Sequence, residues 1–466
     1  MAPANGGGFR VLRTARVTPS SPTGEAALPE RAMPLTFMDA LWFWNISDPV
    51  ECVFFYRLGA DDVDAVLSRL ADSLSLALHA FYPLAGRLRL TPGKTNRYEL
   101  FYQPGDGVAF TVAEHDGVDV DELAADHPRE AEKLSQFVPK LPEGGAVFAV
   151  QATVLLPSCR GLALGVTVQH VACDGASSTH FLHTWAAACA GVATPPPPPP
   201  FIVSRAFIHE REDIYDSFAR RLQNQQTRSK PPDVVGKLFA TFTLSRETLH
   251  SIKDIWTGEA VRRGVRPPRC TSIVAMLAVI WQCFSRATPG SDAEPDRNGR
   301  AHLIIPVDLR TRMEPGVPDS KYFGNCVGLC FASAPKKDLI AIGVDGLIAA
   351  CSEVAAAIDG ATSYDPDSWN RYGDRVIEVL KDGPFLSVAG SPRFRVYDVD
   401  FGFGRPAKVD IVSVAKTGAI ALAEGRSGSG GIEVGIALPL DRMEMFRRCF
   451  VDAVAWLSSS MSDTMH

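Results

Sequence analysis

Apolar residues recur every three or four positions in an early segment of the chain, and this spacing predicts an amphipathic helix over 61–78. The helix follows two candidate capping residues, Asp61 and Asp62. Before it, the first 30 residues are rich in Gly, Pro and Ser and predict an irregular surface segment. After it, short apolar or alternating segments predict strands at 98–102, 108–112, 146–156 and 162–169. A helix from about 176 to 190 completes the first half.

The second half repeats this alternation of strands and helices. We predict strands at 238–244, 301–307, 394–399, 409–414, 419–424 and 432–437, and helices at 246–256, at 271–284 and after Asp441. Six consecutive prolines at 195–200 favour extended polyproline II geometry, which suits a stiff connector. The pattern therefore predicts an α/β fold of two similarly built two-layer domains, 1–191 and 236–466, joined by a crossover linker at 192–235.

The composition excludes several classes of protein. The 466 residues are 46% hydrophobic and 21% charged, with a net charge of −6 and no basic run, so we expect no nucleic-acid partner. An anionic ligand must then be held by a local basic pocket. No signal-peptide core and no apolar run of about 20 residues is present, so we expect a protein with no membrane partner. Ten cysteines without a CxxC pair predict reduced thiols in the cytoplasm and no metal site. We also expect a monomer, although nothing in the sequence fixes the oligomeric state.

One histidine stands where a side chain can reach a cleft. His170 ends the strand predicted at 162–169, immediately before a turn and a helix. A neutral imidazole, with an ordinary pKa of about 6.5, can take a proton from a hydroxyl group near pH 7. Asp174 follows four residues later, and two interpretations of it stay open: it orients His170, or it is a buried carboxylate paired with an arginine. His79, His180 and His183 are interpreted as structural.

The segments HVACDG at 170–175 and DFGFG at 400–404 together resemble the HxxxD and DFGWG motifs of the BAHD acyltransferases of plants. The resemblance extends over nearly the whole chain, through LTFMDALWF at 35–43, FYPLAGRLR at 81–89 and GSGGIEVGIALP at 428–439. It implies a chloramphenicol acetyltransferase-like fold of mixed sheets flanked by helices, with the active site in a tunnel between the two domains. It also implies an acyl-CoA co-substrate and no bound cofactor.

The resemblance implies a role for each matching residue. His170 matches the family's general base, and Asp174 matches its structural aspartate, for which Arg310 is our candidate partner. In the second motif, Phe403 stands at the tryptophan position and lacks the indole N–H. We favour structural support as the role of this loop, in which we include Asp400, Gly402, Phe403 and Gly404.

The pentapeptide YFGNC at 322–326 resembles the branch of the family that acylates anthocyanins and other flavonoid or phenolic glucosides, often with malonyl-CoA. We therefore predict malonyl transfer to a sugar hydroxyl, with a hydroxycinnamoyl-CoA donor as one alternative and an inactive binding protein as another. Asn325 is a candidate acyl contact or a turn residue. The other candidates for acyl or coenzyme contacts are Lys253, Thr271, Ser272 and Ser391. A surface lysine and ordinary helix caps are the alternatives for Lys253, Thr271 and Ser272.

Overall fold

The structure is a computed structural model that describes most of the chain. The described residues are 8–21, 28–45, 48–59, 62–156, 160–191, 205, 208–224, 234–264, 269–288, 299–313, 322–361, 369, 372, 375, 378–379 and 385–464. The predicted proline run at 195–200 and Asp61 lie outside the described residues, as does most of the predicted linker.

Within these ranges the strands follow one another along both halves of the chain. They are β1 (Phe9–Val17), β2 (Arg31–Pro34), β3 (Val50–Arg57), β4 (Arg87–Leu90), β5 (Tyr98–Tyr102), β6 (Val108–Asp116), β7 (Arg129–Glu130), β8 (Phe148–Leu156), β9 (Gly161–Val168), β10 (Lys237–Leu244), β11 (Arg300–Asp308), β12 (Val327–Pro335), β13 (Phe385–Gly390), β14 (Lys408–Ile411), β15 (Ala419–Glu424) and β16 (Ile432–Pro439).

The helices alternate with the strands in both halves. They are α1 (Phe37–Ala40), α2 (Val63–Ala80), α3 (Val120–Leu123), α4 (Ala131–Leu134), α5 (Gly175–Ala190), α6 (Glu212–Asn224), α7 (Arg246–Arg262), α8 (Ser272–Ala287), α9 (Lys336–Leu339), α10 (Val344–Gly360), α11 (Val414–Thr417) and α12 (Leu440–Thr464). Asp62 caps the predicted early helix, α2, by accepting a hydrogen bond from the Asp64 N–H.

Two large sheets form the framework. One contains six strands in the order β1-β6-β8-β9-β3-β14, and the other contains seven in the order β12-β11-β13-β15-β16-β10-β7. Both are mixed, because β6 and β8 pair in parallel in the first sheet, while β11–β13 and β13–β15 pair in parallel in the second. A third, small sheet has the order β2-β5-β4. The fold class predicted from the sequence is confirmed.

Each large sheet receives a strand from the other half of the chain. β14, late in the sequence, pairs with β3, and β7, early in the sequence, pairs with β10. A second, smaller apolar core forms where the two sheets approach each other, and it includes Val53, Phe55, Phe137, Phe239 and Val412. The two halves are therefore held together by backbone pairing as well as by side-chain packing.

The structure corrects two predictions of local structure. The strand predicted at 394–399 is wrong: two 3₁₀ turns occupy Pro392–Phe394 and Val396–Asp398, because Arg395 takes a left-handed conformation with φ of 54° between them. The N-terminal segment was predicted to be irregular, yet β1 pairs with β6 as an edge strand. Its side chains are largely exposed on both faces, so the segment carries no apolar alternation for a pattern to detect.

Among the described residues, no helix is both long and apolar enough to cross a membrane.

Candidate active site

His170 lies two residues beyond the end of β9, at the wall of a cavity between the two large sheets. Every residue of β9 is buried, and β9 lies inside its sheet, where β8 pairs with one of its edges and β3 with the other. This pairing fixes the backbone that carries the histidine. The half-buried imidazole then reaches the cavity from the turn that precedes α5.

Asn325 sets which imidazole nitrogen carries the proton. Its amide nitrogen donates to Asp39 Oδ1 at 3.0 Å and to the backbone oxygen of His170 at 2.9 Å, so both amide N–H groups are used. The amide oxygen lies 3.2 Å from Nδ1 of His170 and can only accept. Nδ1 must therefore donate, and Nε2 is left as the nitrogen that can accept a proton.

Asp39 holds this amide in place. Its side chain is fully buried, and its Oδ2 accepts hydrogen bonds from the backbone N–H and hydroxyl of Thr36 at 2.8 and 2.9 Å. Its Oδ1 accepts from both the backbone and the side chain of Asn325, each at 3.0 Å. The carboxylate thus orients the asparagine, and the asparagine orients the histidine.

The surroundings of His170 favour its neutral form. Burial lowers the pKa of the imidazole below its ordinary value of 6.5, although its hydrogen bonds and the nearby carboxylates of Asp174 and Asp39 act in the opposite direction. The indole ring of Trp42 stacks on the imidazole with 3.5 Å between ring centroids and 15° between ring planes. A neutral, rigidly held imidazole with an open nitrogen is the form that a general base requires.

Asp174 stabilises the turn and does not contact the imidazole. It forms the N-cap of α5, where its Oδ1 accepts from the Ser177 N–H at 3.0 Å, and its Oδ2 accepts from the Cys326 N–H at 3.0 Å. Arg310, the partner proposed from the sequence, lies 2.9 Å away, and both side chains are at most 2% exposed. Burial raises the pKa of Asp174, but the Arg310 guanidinium and these hydrogen bonds outweigh it, so the net pKa is lowered.

The cavity beside His170 has a volume of about 850 Å³. Its wall comes from both large sheets, from α5 and from the turns after β13. Gly175 opens α5 at this wall, and a Cβ atom there would lie 2.5 Å from the ring of Phe394, so a larger residue would require this ring to move. Among the described residues, seven aromatic side chains line the cavity: Trp42, Phe54, Phe148, Phe181, Phe239, Phe385 and Phe394.

The DFGFG loop lies outside this cavity wall. Asp400 Oδ1 accepts from the backbone N–H groups of Gly402 and Gly404 at 2.8 and 2.9 Å. Both glycines have positive φ, at 92° and 103°, which the turn requires. The ring of Phe403 packs edge-on against Tyr56 with 5.0 Å between centroids. These contacts are those of a loop that supports the fold, and the assignment of this loop as structural support stays a prediction.

Lys253 and Ser272 meet at a second, smaller cavity. Lys253 Nζ donates to Ser272 Oγ at 2.8 Å, and the cavity of about 320 Å³ around them is also lined by Arg246 and His250. Thr271 accepts from the Val274 N–H as the N-cap of α8. Ser391 accepts in the same way from the Arg393 N–H, in the turn after β13.

The structure places Asn325 differently from the acyl contact predicted for it. The side chain is fully buried behind His170, and its donors are taken by Asp39 and His170. It is also absent from the described lining of the cavity. Asp39 and Trp42 received no role from the sequence, although both lie in the segment LTFMDALWF. The local pairing of Asp39 with Thr36 marks only a helix start, and the partners that give the two residues a place in the site are 286 and 128 residues away along the chain.

The similarity of this chain to known proteins agrees with this geometry. The family model described as the Transferase family, the BAHD acyltransferases, matches residues 10–452. The chain belongs to this family. The resemblance proposed from the two motifs is thereby confirmed, and the chain is an acyltransferase.

Two Arabidopsis thaliana proteins show the range of its relatives. Coumaroyl-CoA:anthocyanidin 3-O-glucoside-6''-O-coumaroyltransferase 2 is 32% identical over 462 residues, which cover 94% of this chain and 96% of the relative. Phenolic glucoside malonyltransferase 2 is 31% identical over 461 residues, covering 94% and 97%. Among solved structures, vinorine synthase superposes with a TM-score of 0.70 at 23% identity, covering 94% of this chain and 96% of that one. This superposition shows a shared fold.

Proposed function

We propose that this BAHD acyltransferase transfers an acyl group from a coenzyme A thioester to a sugar hydroxyl of a flavonoid or other phenolic glucoside. The observation that carries the proposal is His170, whose Nδ1 is held by Asn325 and whose Nε2 is left for the cavity. The family supports an acyl transfer, and the names of the relatives support a CoA donor and a glucoside acceptor.

His170 acts as the general base in this proposal. Nε2 takes the proton of the acceptor hydroxyl while its oxygen forms a bond to the thioester carbonyl carbon. The carbonyl oxygen becomes an oxyanion in a tetrahedral intermediate. The carbon–sulfur bond then breaks, and the imidazolium returns the proton to the leaving thiolate. The products are an ester and free coenzyme A, and no covalent acyl-enzyme is needed.

The second cavity suits the nucleotide end of the coenzyme. Lys253 and Arg246 line it, and cations of this kind bind phosphate groups through charge-assisted hydrogen bonds. Ser272 supplies a hydroxyl at the same place. A local basic pocket of this kind is what a chain with a net charge of −6 needs for an anionic co-substrate. Roles for Thr271 and Ser391 on the pantetheine path stay predictions.

A cytoplasmic, monomeric protein is part of the same proposal. The cysteines of the described residues are free thiols, nine in number, which suits a reducing compartment. Size-exclusion chromatography with light scattering measures the mass in solution, and a value near 50.3 kDa is expected for a monomer.

The experiment that tests the function is a release assay for free coenzyme A, with product identified by mass spectrometry. Purified protein is given a panel of CoA thioesters and a flavonoid glucoside. His170→Ala is expected to lower kcat by a factor on the order of 10²–10⁴. His127→Ala, at an exposed histidine outside the cavity wall, is the matched control and should keep wild-type rates. Binding of CoA esters without any release of coenzyme A would instead favour a binding protein.

A further inference from the structure

The charged groups around the main cavity restrict what the acyl group can be. Four acidic residues, Asp48, Asp174, Asp410 and Glu433, line the described wall. Among the described lining residues, Lys416 is the only lysine or arginine. Three of the acids, Asp174, Asp410 and Glu433, are buried, at 1%, 2% and 4% exposed, so the described wall offers few charged groups of either sign to a bound acyl group.

The ammonium group of Lys416 is already occupied. Its Nζ lies 2.5 and 2.6 Å from the two carboxylate oxygens of Glu51, whose side chain is only 7% exposed. Glu51 belongs to β3 and Lys416 to α11, so the pair joins the two halves of the chain. Because both carboxylate oxygens of Glu51 contact the Lys416 ammonium group, its charge is largely compensated, and it can attract a second anion only weakly.

The arginines behind the wall are occupied too. Arg310 is paired with Asp174 and Arg129 with Asp410, each at 2.9 Å. Arg426 contacts Glu433 at 2.9 Å. The positive charge of each of these guanidinium groups is therefore compensated by an acid of the wall. Burying a carboxylate without a compensating cation is costly, and the described wall offers no lysine or arginine that is not already paired with an acid.

A malonyl group has its carboxylate one methylene away from the carbonyl that reacts. Because that carbonyl must lie at His170, the carboxylate would have to stay inside this cavity. An aromatic acyl group instead meets the ring faces and edges of the seven aromatic side chains that line the cavity. We propose that the donor is an uncharged, aromatic acyl-CoA, and that Glu51 excludes malonyl-CoA by sequestering Lys416. This inference rests on the proposed acyl-CoA function.

The test compares p-coumaroyl-CoA and malonyl-CoA with quercetin 3-O-glucoside as acceptor. Wild-type protein is expected to show a kcat/KM at least about 10-fold higher for p-coumaroyl-CoA. Glu51→Gln keeps the shape of the side chain but frees the Lys416 ammonium. It should raise kcat/KM for malonyl-CoA on the order of 10-fold and leave p-coumaroyl-CoA within about threefold. Glu114→Gln removes the same charge from a pair with Arg10 outside the described cavity wall, and should change neither donor.

The outcomes separate the two proposals. Equal or better use of malonyl-CoA by the wild-type protein would overturn the inference while supporting the acyl transfer. An unchanged malonyl-CoA rate in Glu51→Gln would show that Lys416 is not what excludes this donor. If no thioester gives product, the proposed function fails. Calorimetric dissociation constants of the two CoA esters then still measure the donor preference, and tighter binding of malonyl-CoA would refute it.

Discussion

Replacing Asp174 by alanine tests how the active-site turn is held. The change removes the carboxylate that lies 2.9 Å from Arg310 and leaves a guanidinium that is 2% exposed without its buried counter-ion. Breaking such a buried pair on one side costs about 3–5 kcal/mol. The same change removes the N-cap of α5, which is worth about 1 kcal/mol. Because these contacts share one side chain, their costs are not additive, and we expect a total loss of about 3–5 kcal/mol.

Urea unfolding followed by fluorescence and circular dichroism measures this loss. Asp174→Asn keeps an acceptor for the Ser177 N–H and removes only the negative charge, so it measures the contribution of that charge to the free energy of unfolding. A double variant, Asp174→Ala with Arg310→Met, removes the unpaired cation and should recover part of the lost stability. A loss below about 1 kcal/mol in Asp174→Ala would refute the assignment of this pair as the buried support of the turn.

The same pair has a predictable dependence on pH. The pKa of Asp174 lies below its ordinary value of 3.8 in the folded protein. A depressed pKa contributes stability that is fully present above the unfolded value and is lost as the pH falls through the folded value. The stability difference between the wild-type protein and Asp174→Asn should therefore be constant at neutral pH and shrink below about pH 4. A difference that grows on acidification would contradict this reasoning.

Three further predictions concern the site. Burial lowers the pKa of His170, so the acid-side decrease of kcat/KM in the wild-type protein should occur only below the ordinary value of 6.5. An acid-side decrease that already begins above pH 7 would count against a neutral base. Asn325→Ala should lower kcat about 10-fold with KM nearly unchanged, whereas a rise in donor KM alone would favour the acyl contact first predicted. Lys253→Ala should raise the KM for CoA esters about 10-fold at constant kcat, and equal KM values would remove it from the coenzyme site.

Local patterns in the sequence determined the helices and strands that are periodic or continuously apolar. α2, α5, α8 and the buried strand β9 were predicted because side-chain burial repeats with the period of the element. β1 was missed because an edge strand exposed on both faces has no such repeat, and the turns at 392–398 were mistaken for a strand because a left-handed residue leaves no apolar signature.

The chemistry divides in the same way. The sequence alone determined that His170 stands at a strand end. Through two motifs it also determined the family to which the chain belongs. Only the tertiary structure decided that Asn325 and Asp39 hold its ring, that Trp42 stacks on it, and that Glu51 occupies Lys416. These partners lie far apart in the chain, and they meet because the two sheets exchange strands and close a cavity between them. A one-dimensional pattern cannot report contacts that arise only when separate elements pack.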